Sequence, residues 1–396
     1  MVLSSMPSDA AFGAPARADF PGTAGRAVDL RRAAATECPA ATSASDAADK
    51  PSSPYFVNAA VDVAFVGGIS CVTFFLFRQF APSTHSERAA AILLTVVWFV
   101  NYPHFSATLH RLFRTRQNTA QYPFTAFLLP VVIGAGTAGA LVWPHTCAPY
   151  FIKLMLLWSS YHFSGQTLGV TLIYARRAGV AFEGWERRAL SLFIFGTYLL
   201  YMLRVGYIAG SYYGVDYPTL EIPPWLATGA WWLTWAAGGF LVAFVVAWSV
   251  RQQRAFPFIV LLPAVTQFVW FVPGITAGDF FIFVPVFHSL QYLPIALAMH
   301  LGDTLGRRGA ARSPRRFAIE TLRWCGVNFA GGVALFYALP LVVSWTGVGL
   351  PLATGVLFAA IQLHHFIVDG VIWKLRNTSV ASPLMTNLLT YARESQ

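Results

Sequence analysis

Charge is what this sequence has least of. Of 396 residues, only 11% are Asp, Glu, Lys or Arg, against 56% hydrophobic residues and a mean hydropathy of +0.55. An ordinary soluble chain is about 25% charged, so too few charged side chains are present to cover a water-facing surface. That shortage excludes a soluble globular enzyme, a disordered protein and a nucleic-acid binder, despite a formal net charge of +10. Cysteine is equally scarce. Cys38, Cys71, Cys147 and Cys325 are scattered without a C-x-x-C pair, which excludes a disulfide framework and a thiolate metal site. Buried small hydrophobes are the reading that remains for them.

What is present is a succession of apolar runs. Residues 1–54 are set apart, rich in Ala, Ser, Pro, Asp and Arg, with five basic and six acidic residues and no continuous apolar stretch. A secretory signal is therefore absent from them, and they read as a disordered cytoplasmic tail. Residues 55–376 read as an all-α, polytopic transmembrane helix bundle, followed by a short cytoplasmic C-terminal tail, 377–396. About ten runs approach the length that crosses a bilayer: 57–77, 90–110, 123–143, 150–174, 189–210, 226–249, 256–273, 280–301, 324–345 and 351–373.

The connections carry their basic residues on one side only. The two ends and the loops after even-numbered runs hold 23 Lys and Arg, whereas the loops after odd-numbered runs hold only Arg78 and Arg88. Positive charge is retained in the cytoplasm, so both termini are expected there. The pI of 9.7 is then a topology signal. The opposite loops include 210–218 and precede Trp225, Trp231, Trp232 and Trp235, an aromatic belt for the outer interface. Lys153 and Arg204 lie inside runs. Arg204 is expected to snorkel outward, and Asp62 and Asp279 to cap their helices.

Seven of nine histidines lie within or at the ends of runs: His104, His110, His162, His288, His300, His364 and His365. All seven are on even-numbered runs, which share one orientation, and they fall between mid-membrane and the inner boundary. Intramembrane ionisable groups are rare and face a bundle interior or a cavity, and neutral imidazole is the commonest metal ligand. All seven are candidate metal ligands. His365 and Asp369 are four apart on one helical face, which makes Asp369 a ligand, an orienting group or a catalytic carboxylate. His162 shares a face with Gln166, and His288 with Gln291 and Tyr292; these three are the expected supporting partners. His104 and His110 are six apart and cannot both face one centre unless the helix bends near Pro103. His364 points about a quarter-turn aside from His365. No H-E-x-x-H is present, which leaves a zinc protease unsupported.

In layout, this set resembles the histidine-box membrane oxygenases: fatty-acid desaturases, lipid hydroxylases and carotenoid-modifying enzymes. The paired His364-His365 corresponds to a fragment of their boxes. Position 108, four after His104, is Thr, and position 361, where a last box would place His, is Ile361. The membrane iron dioxygenases that cleave carotenoids, with about four histidines, resemble the chain in histidine number. The resemblance implies one or two iron ions, a membrane lipid or other hydrophobic substrate, oxidised by desaturation, hydroxylation or cleavage, and a cytoplasmic electron donor. A b-type haem electron-transfer protein and a proton-coupled transporter with a histidine relay are the alternative readings of the same residues.

Overall fold

The computed structural model describes residues 53–80, 87–306, 313–373 and 383–393. The expected tail therefore lies outside the described residues up to position 52, as do His85, Cys38 and positions 377–382 and 394–396 of the C-terminal stretch.

Apolar runs with few internal breakers become long helices, and nine of the ten expected runs coincide with helices long and apolar enough to cross a membrane. In chain order they are α1 (Ala59–Phe80), α2 (Glu87–Phe113), α3 (Phe124–Val142), α5 (Gly184–Gly206), α6 (Trp225–Gln252), α7 (Phe258–Thr276), α8 (Gly278–Leu305), α9 (Pro314–Ser344) and α10 (Leu350–Ile372). The remaining run, 150–174, lies in α4 (Ala148–Ala178). At 31 residues and 1.5 Å per residue, α4 is about 46 Å long. Its middle carries Ser159, Ser160, His162, Ser164, Gln166 and Thr167, which dilute its hydropathy, and several of them serve the interior of the bundle. Large apolar side chains such as Phe75, Val131, Phe240 and Val242 are more than half exposed around the outside. Soluble proteins rarely show so much exposed apolar surface; this is the architecture of a multi-pass membrane protein.

In hydrocarbon, helices associate through close backbone approach and interhelical hydrogen bonds. A Cβ added at Gly331 of α9 would fall on Ser106 Oγ of α2, and one at Gly332 would lie 2.9 Å from Tyr102. Gly67 of α1 meets Leu262 and Thr266 of α7 in the same way, and Gly196 of α5 meets Thr234 of α6. Gln267 of α7, fully buried, donates through Nε2 to Ser164 Oγ, Ile194 O and Thr197 Oγ1 at 2.8–3.0 Å, tying α7 to α4 and α5.

One departure from the expected all-α fold is a hairpin between α5 and α6, β1 (Gly210–Tyr212) with β2 (Val215–Tyr217). Tyr213 and Gly214 take φ of 50° and 77°, the pair of positive values that a two-residue hairpin turn needs. The loop was expected as interfacial material, but the hairpin folds back onto α10. The Tyr213 ring lies 5.2 Å from Phe358, and Gln362 Nε2 donates to Tyr212 Oη at 3.5 Å. Burial holds the Tyr212 phenol above its ordinary pKa, so it stays neutral. Lys153, 2% exposed, pins the loop: Nζ donates to Ile208 O at 2.8 Å and stands 4.8 Å over the Tyr217 ring. Arg204 is exposed, and its guanidinium covers Trp231 at 4.8 Å, as expected for a side chain directed outward. Trp225, Trp232 and Trp235 are exposed.

At the other end of α4, Arg177 is 3% exposed. Its guanidinium donates to the carbonyl oxygens of Pro54 (3.0 Å), Tyr55 (2.6 Å) and Leu384 (2.5 Å). Residues 53–58 and 383–393 also bond directly, Leu388 N–H to Phe56 O at 2.7 Å and Asn387 Nδ2 to Tyr55 O and Val57 O. Leu384, Leu388 and Tyr391 enter the core. Asp62 accepts from the backbone N–H groups of Phe56, Val57 and Asn58 and from Tyr174 Oη at 2.8 Å. Its capping thus extends backwards to the segment before α1, while Asn58 caps α1 itself through Val61 N–H.

Candidate metal centre

Four helices each deliver one imidazole to a single buried cluster: His104 from α2, His162 from α4, His288 from α8 and His365 from α10. All four are buried, and one ligand atom from each lies within 4.8 Å of the others. The rings form a closed circuit. Centroids of His104 and His288 are 5.1 Å apart, His288 and His162 5.0 Å, His162 and His365 4.9 Å, and His365 and His104 4.5 Å. Neighbouring rings meet edge to face, at interplanar angles of 68–83°.

Local sequence explains how these rings are aimed. Pro103 has no N–H for the carbonyl of Phe99 and its ring clashes there. The helix breaks at Val100 (φ −120°, ψ −58°) and restarts at Asn101, turning His104 inward. Three of the four histidines are followed directly by phenylalanine, and each phenylalanine covers a different histidine. Phe105 packs on His365 (4.6 Å), Phe163 on His288 (4.2 Å) and Phe366 stacks on His162 (4.6 Å, 26°). The repeated His-Phe dipeptide was the available sequence signal for this aromatic wall.

Asp369 completes the polar group. Its Oδ1 accepts from Thr108 Oγ1 at 2.8 Å and Trp373 Nε1 at 3.1 Å, with Tyr292 Oη at 3.5 Å. Its Oδ2 lies 3.6 Å from His365 Nε2 and 4.0 Å from His162 Nε2. One carboxylate oxygen is thus held by donors, and the other faces two imidazoles. Thr108 and Trp373 were not anticipated as partners. Thr108 stands one helical turn after His104 and holds the carboxylate, while the Trp373 indole is covered by Arg111 at 4.7 Å.

The expected supporting residues take distinct places. Tyr292 lies edge-on to His104 at 4.3 Å, and its hydroxyl is 2.8 Å from Thr108 Oγ1. Gln166 donates to the backbone oxygen of His288 at 2.8 Å, fixing the helix rather than the ring. Gln291 reaches away from the centre to Val66 O at 2.6 Å, within the π-turn Ala64–Gly68 of α1.

Three candidate ligands stand outside the four-histidine group. His110 and His300 pair with each other near the far ends of α2 and α8, centroids 5.8 Å apart, with His300 Nε2 3.6 Å from Glu320. Asp303, beside them, faces Arg111 at 3.9 Å and Arg114 at 3.7 Å. Six residues separate His104 from His110, about 9 Å along the axis, which is too far for both to face one centre. His364 is not among the four that converge; it borders a cavity with Leu109, Phe113, Pro130 and Gly134 that His365 also lines.

The donor set fits a metal ion. Seven ring nitrogens of the four histidines are buried and have no hydrogen-bond partner among the described residues. Leaving a buried polar atom unmatched costs about 1–3 kcal/mol, so seven together rival the whole stability of a typical protein, about 5–15 kcal/mol. Nitrogens each about 2.1 Å from one ion would lie at most about 4.2 Å apart, close to the 4.8 Å within which these four atoms already lie.

An apolar cavity of about 300 Å³ adjoins His162 and Asp369, between α4, α8 and α10. No protein-family model, no curated protein and no solved structure matches this chain.

Proposed function

We propose that the chain is a membrane-embedded metalloenzyme in which His104, His162, His288 and His365 hold one metal ion, and that it oxidises a hydrophobic substrate. The observation that carries this reading is the convergence of four buried imidazoles, their ring nitrogens unmatched, beside an apolar cavity. All-nitrogen ligation suits iron, copper, zinc or nickel. Iron is the choice here because of the resemblance in layout to the histidine-rich membrane oxygenases, and iron so bound supplies oxidation by dioxygen.

The protein's own groups have separate tasks. Neutral imidazoles coordinate through a lone pair, and the hydrogen bond made by the other nitrogen fixes which one is available. Asp369 Oδ2 is placed to accept an N–H from His365 or His162, while Thr108 and Trp373 keep the carboxylate from turning away. Phe105, Phe163 and Phe366 keep water off the rings. His110, His300 and Glu320 belong to a separate polar group nearer the membrane boundary.

The reading includes topology. Residues 53–58 and 383–393 meet at Arg177, so they lie on one side of the bundle. An even number of crossings joins them, which supports counting α4 as the tenth. The bias of basic residues supports the cytoplasm as that side, where an electron donor would dock.

Metal analysis of detergent-purified protein, together with its visible spectrum, tests the proposal. About one iron per chain is expected, without a Soret band, falling at least tenfold in His365→Ala. A Soret band would move the reading to a haem protein; a porphyrin between two of these imidazoles would have to part rings now only 4.5–5.1 Å apart. Folded, monodisperse protein with neither metal nor haem would sink the metal reading.

A further inference from the structure

The cavity beside the histidines has a shape, and the shape names a ligand. Along α4 it is lined by Trp158, Tyr161, His162, Gly165, Gln166, Gly169, Val170 and Ile173, one continuous helical stripe. Fifteen residues at 1.5 Å give it a length of about 22 Å, roughly two-thirds of a hydrocarbon core about 30 Å thick. A volume of about 300 Å³ spread over that length makes a slot rather than a bowl.

Glycine makes the slot. Gly165 and Gly169 on α4 and Gly370 on α10 line it, and a Cβ added at any of the three would meet nothing within 4 Å. These glycines are therefore not close-packing residues of the kind seen at Gly331 or Gly196. Gly165 and Gly370 are exposed on helices that face the bilayer, and Tyr161 beside them is 49% exposed. Their missing side chains leave a gap between α4 and α10 leading sideways from the lipid towards His162 and Asp369. The hairpin β1–β2 covers α10 further towards its start, around Phe358 and Gln362.

We infer that this gap is a lateral portal, and that the slot takes a single linear apolar chain directly from the membrane, with His162 and Asp369 beside it about 6 Å from the Trp158 end. Trp158, Ile173, Ile295, Phe366 and Trp373 border the slot, and about 300 Å³ spread over about 22 Å favours a narrow chain over a fused-ring lipid. Gly165, Gly169 and Gly370 are then the residues that set which chains enter. The inference rests on the proposed function only for naming the occupant a substrate; binding of the chain is independent of the metal.

Photo-crosslinking of full-length protein in nanodiscs tests this, using diazirine-bearing probes on a free fatty acid, a phosphatidylcholine acyl chain and a sterol. Adducts of one or both acyl probes are expected in 158–173 and 366–373, and whichever labels identifies the source as free acid or intact phospholipid. The double variant Gly165→Leu/Gly370→Leu should lose at least tenfold of that labelling while keeping its metal content. Gly326→Leu, an exposed α9 glycine with equally open surroundings, should label as the unmodified protein does. If the double variant does not purify as a monodisperse species, Gly169→Val gives the same readout with a smaller side chain. Undiminished acyl labelling in the variants, adducts elsewhere only, or sterol labelling of the slot would each overturn the portal. Labelling intact in protein that binds no metal would instead overturn the metal reading and leave the portal standing.

Discussion

Asp369 shows how one residue can be set by its neighbours. Thr108 and Trp373 occupy one oxygen and leave the other to two histidines. Partners one shell out from a metal commonly change its affinity 10–100-fold when removed. Asp369→Asn keeps the shape and removes the charge, and metal affinity measured by competition with a chelator should fall by about that factor. Thr108→Val deletes one donor to a buried carboxylate and should destabilise the fold by about 1–3 kcal/mol, read as a lower thermal midpoint in detergent. An unchanged chelator titration for Asp369→Asn would show that the carboxylate does not serve the histidines. His365 and Asp369 were readable as partners because four residues on one helix always share a face. Trp373, four after Asp369, was open to the same rule, but Thr108 was not: it lies 261 positions from Asp369, and only the packing of α2 against α10 brings them together.

At the scale of elements, the bundle is positioned by what glycine permits. Gly331 and Gly332 let α9 approach α2 at Ser106, Tyr102 and Pro103, next to His104. A leucine at position 331 has to push the helices apart, and overpacking typically costs about 1–3 kcal/mol. Gly331→Leu should therefore lower the thermal midpoint and reduce bound metal together, whereas Gly326→Leu on the same helix should do neither; both are read by differential scanning and metal analysis. The helices were legible as apolar runs with basic residues at alternate ends. The hairpin was not, because its strands are three residues each and their tyrosines suit a membrane interface equally well. The separation of His110, His300 and His364 from the other four was partly legible, in the six-residue spacing and the quarter-turn offset. The place of His300 depends on where α8 crosses α2 and on Glu320, which spacing along one helix does not encode.

At the scale of the whole molecule, one cation gathers the two ends of the described bundle. Arg177 holds carbonyl oxygens from 53–55 and from Leu384, and hydrogen bonds to a charged group contribute about 1.5–3 kcal/mol each. Arg177→Ala should lower the thermal midpoint and open residues 383–393 to limited proteolysis while the histidines keep their metal; cleavage at the unmodified rate would show that the clasp is held by other contacts. The clasp also bears on the order in which the chain is made. Residues 53–58 emerge before every helix described here and residues 383–393 after all of them. A nascent chain halted between residues 178 and 383 contains the Arg177 guanidinium but not its acceptor at Leu384. The last residues of the fold thus supply acceptors for a charge buried near the middle of the chain, and that charge is fully matched only once they have been made.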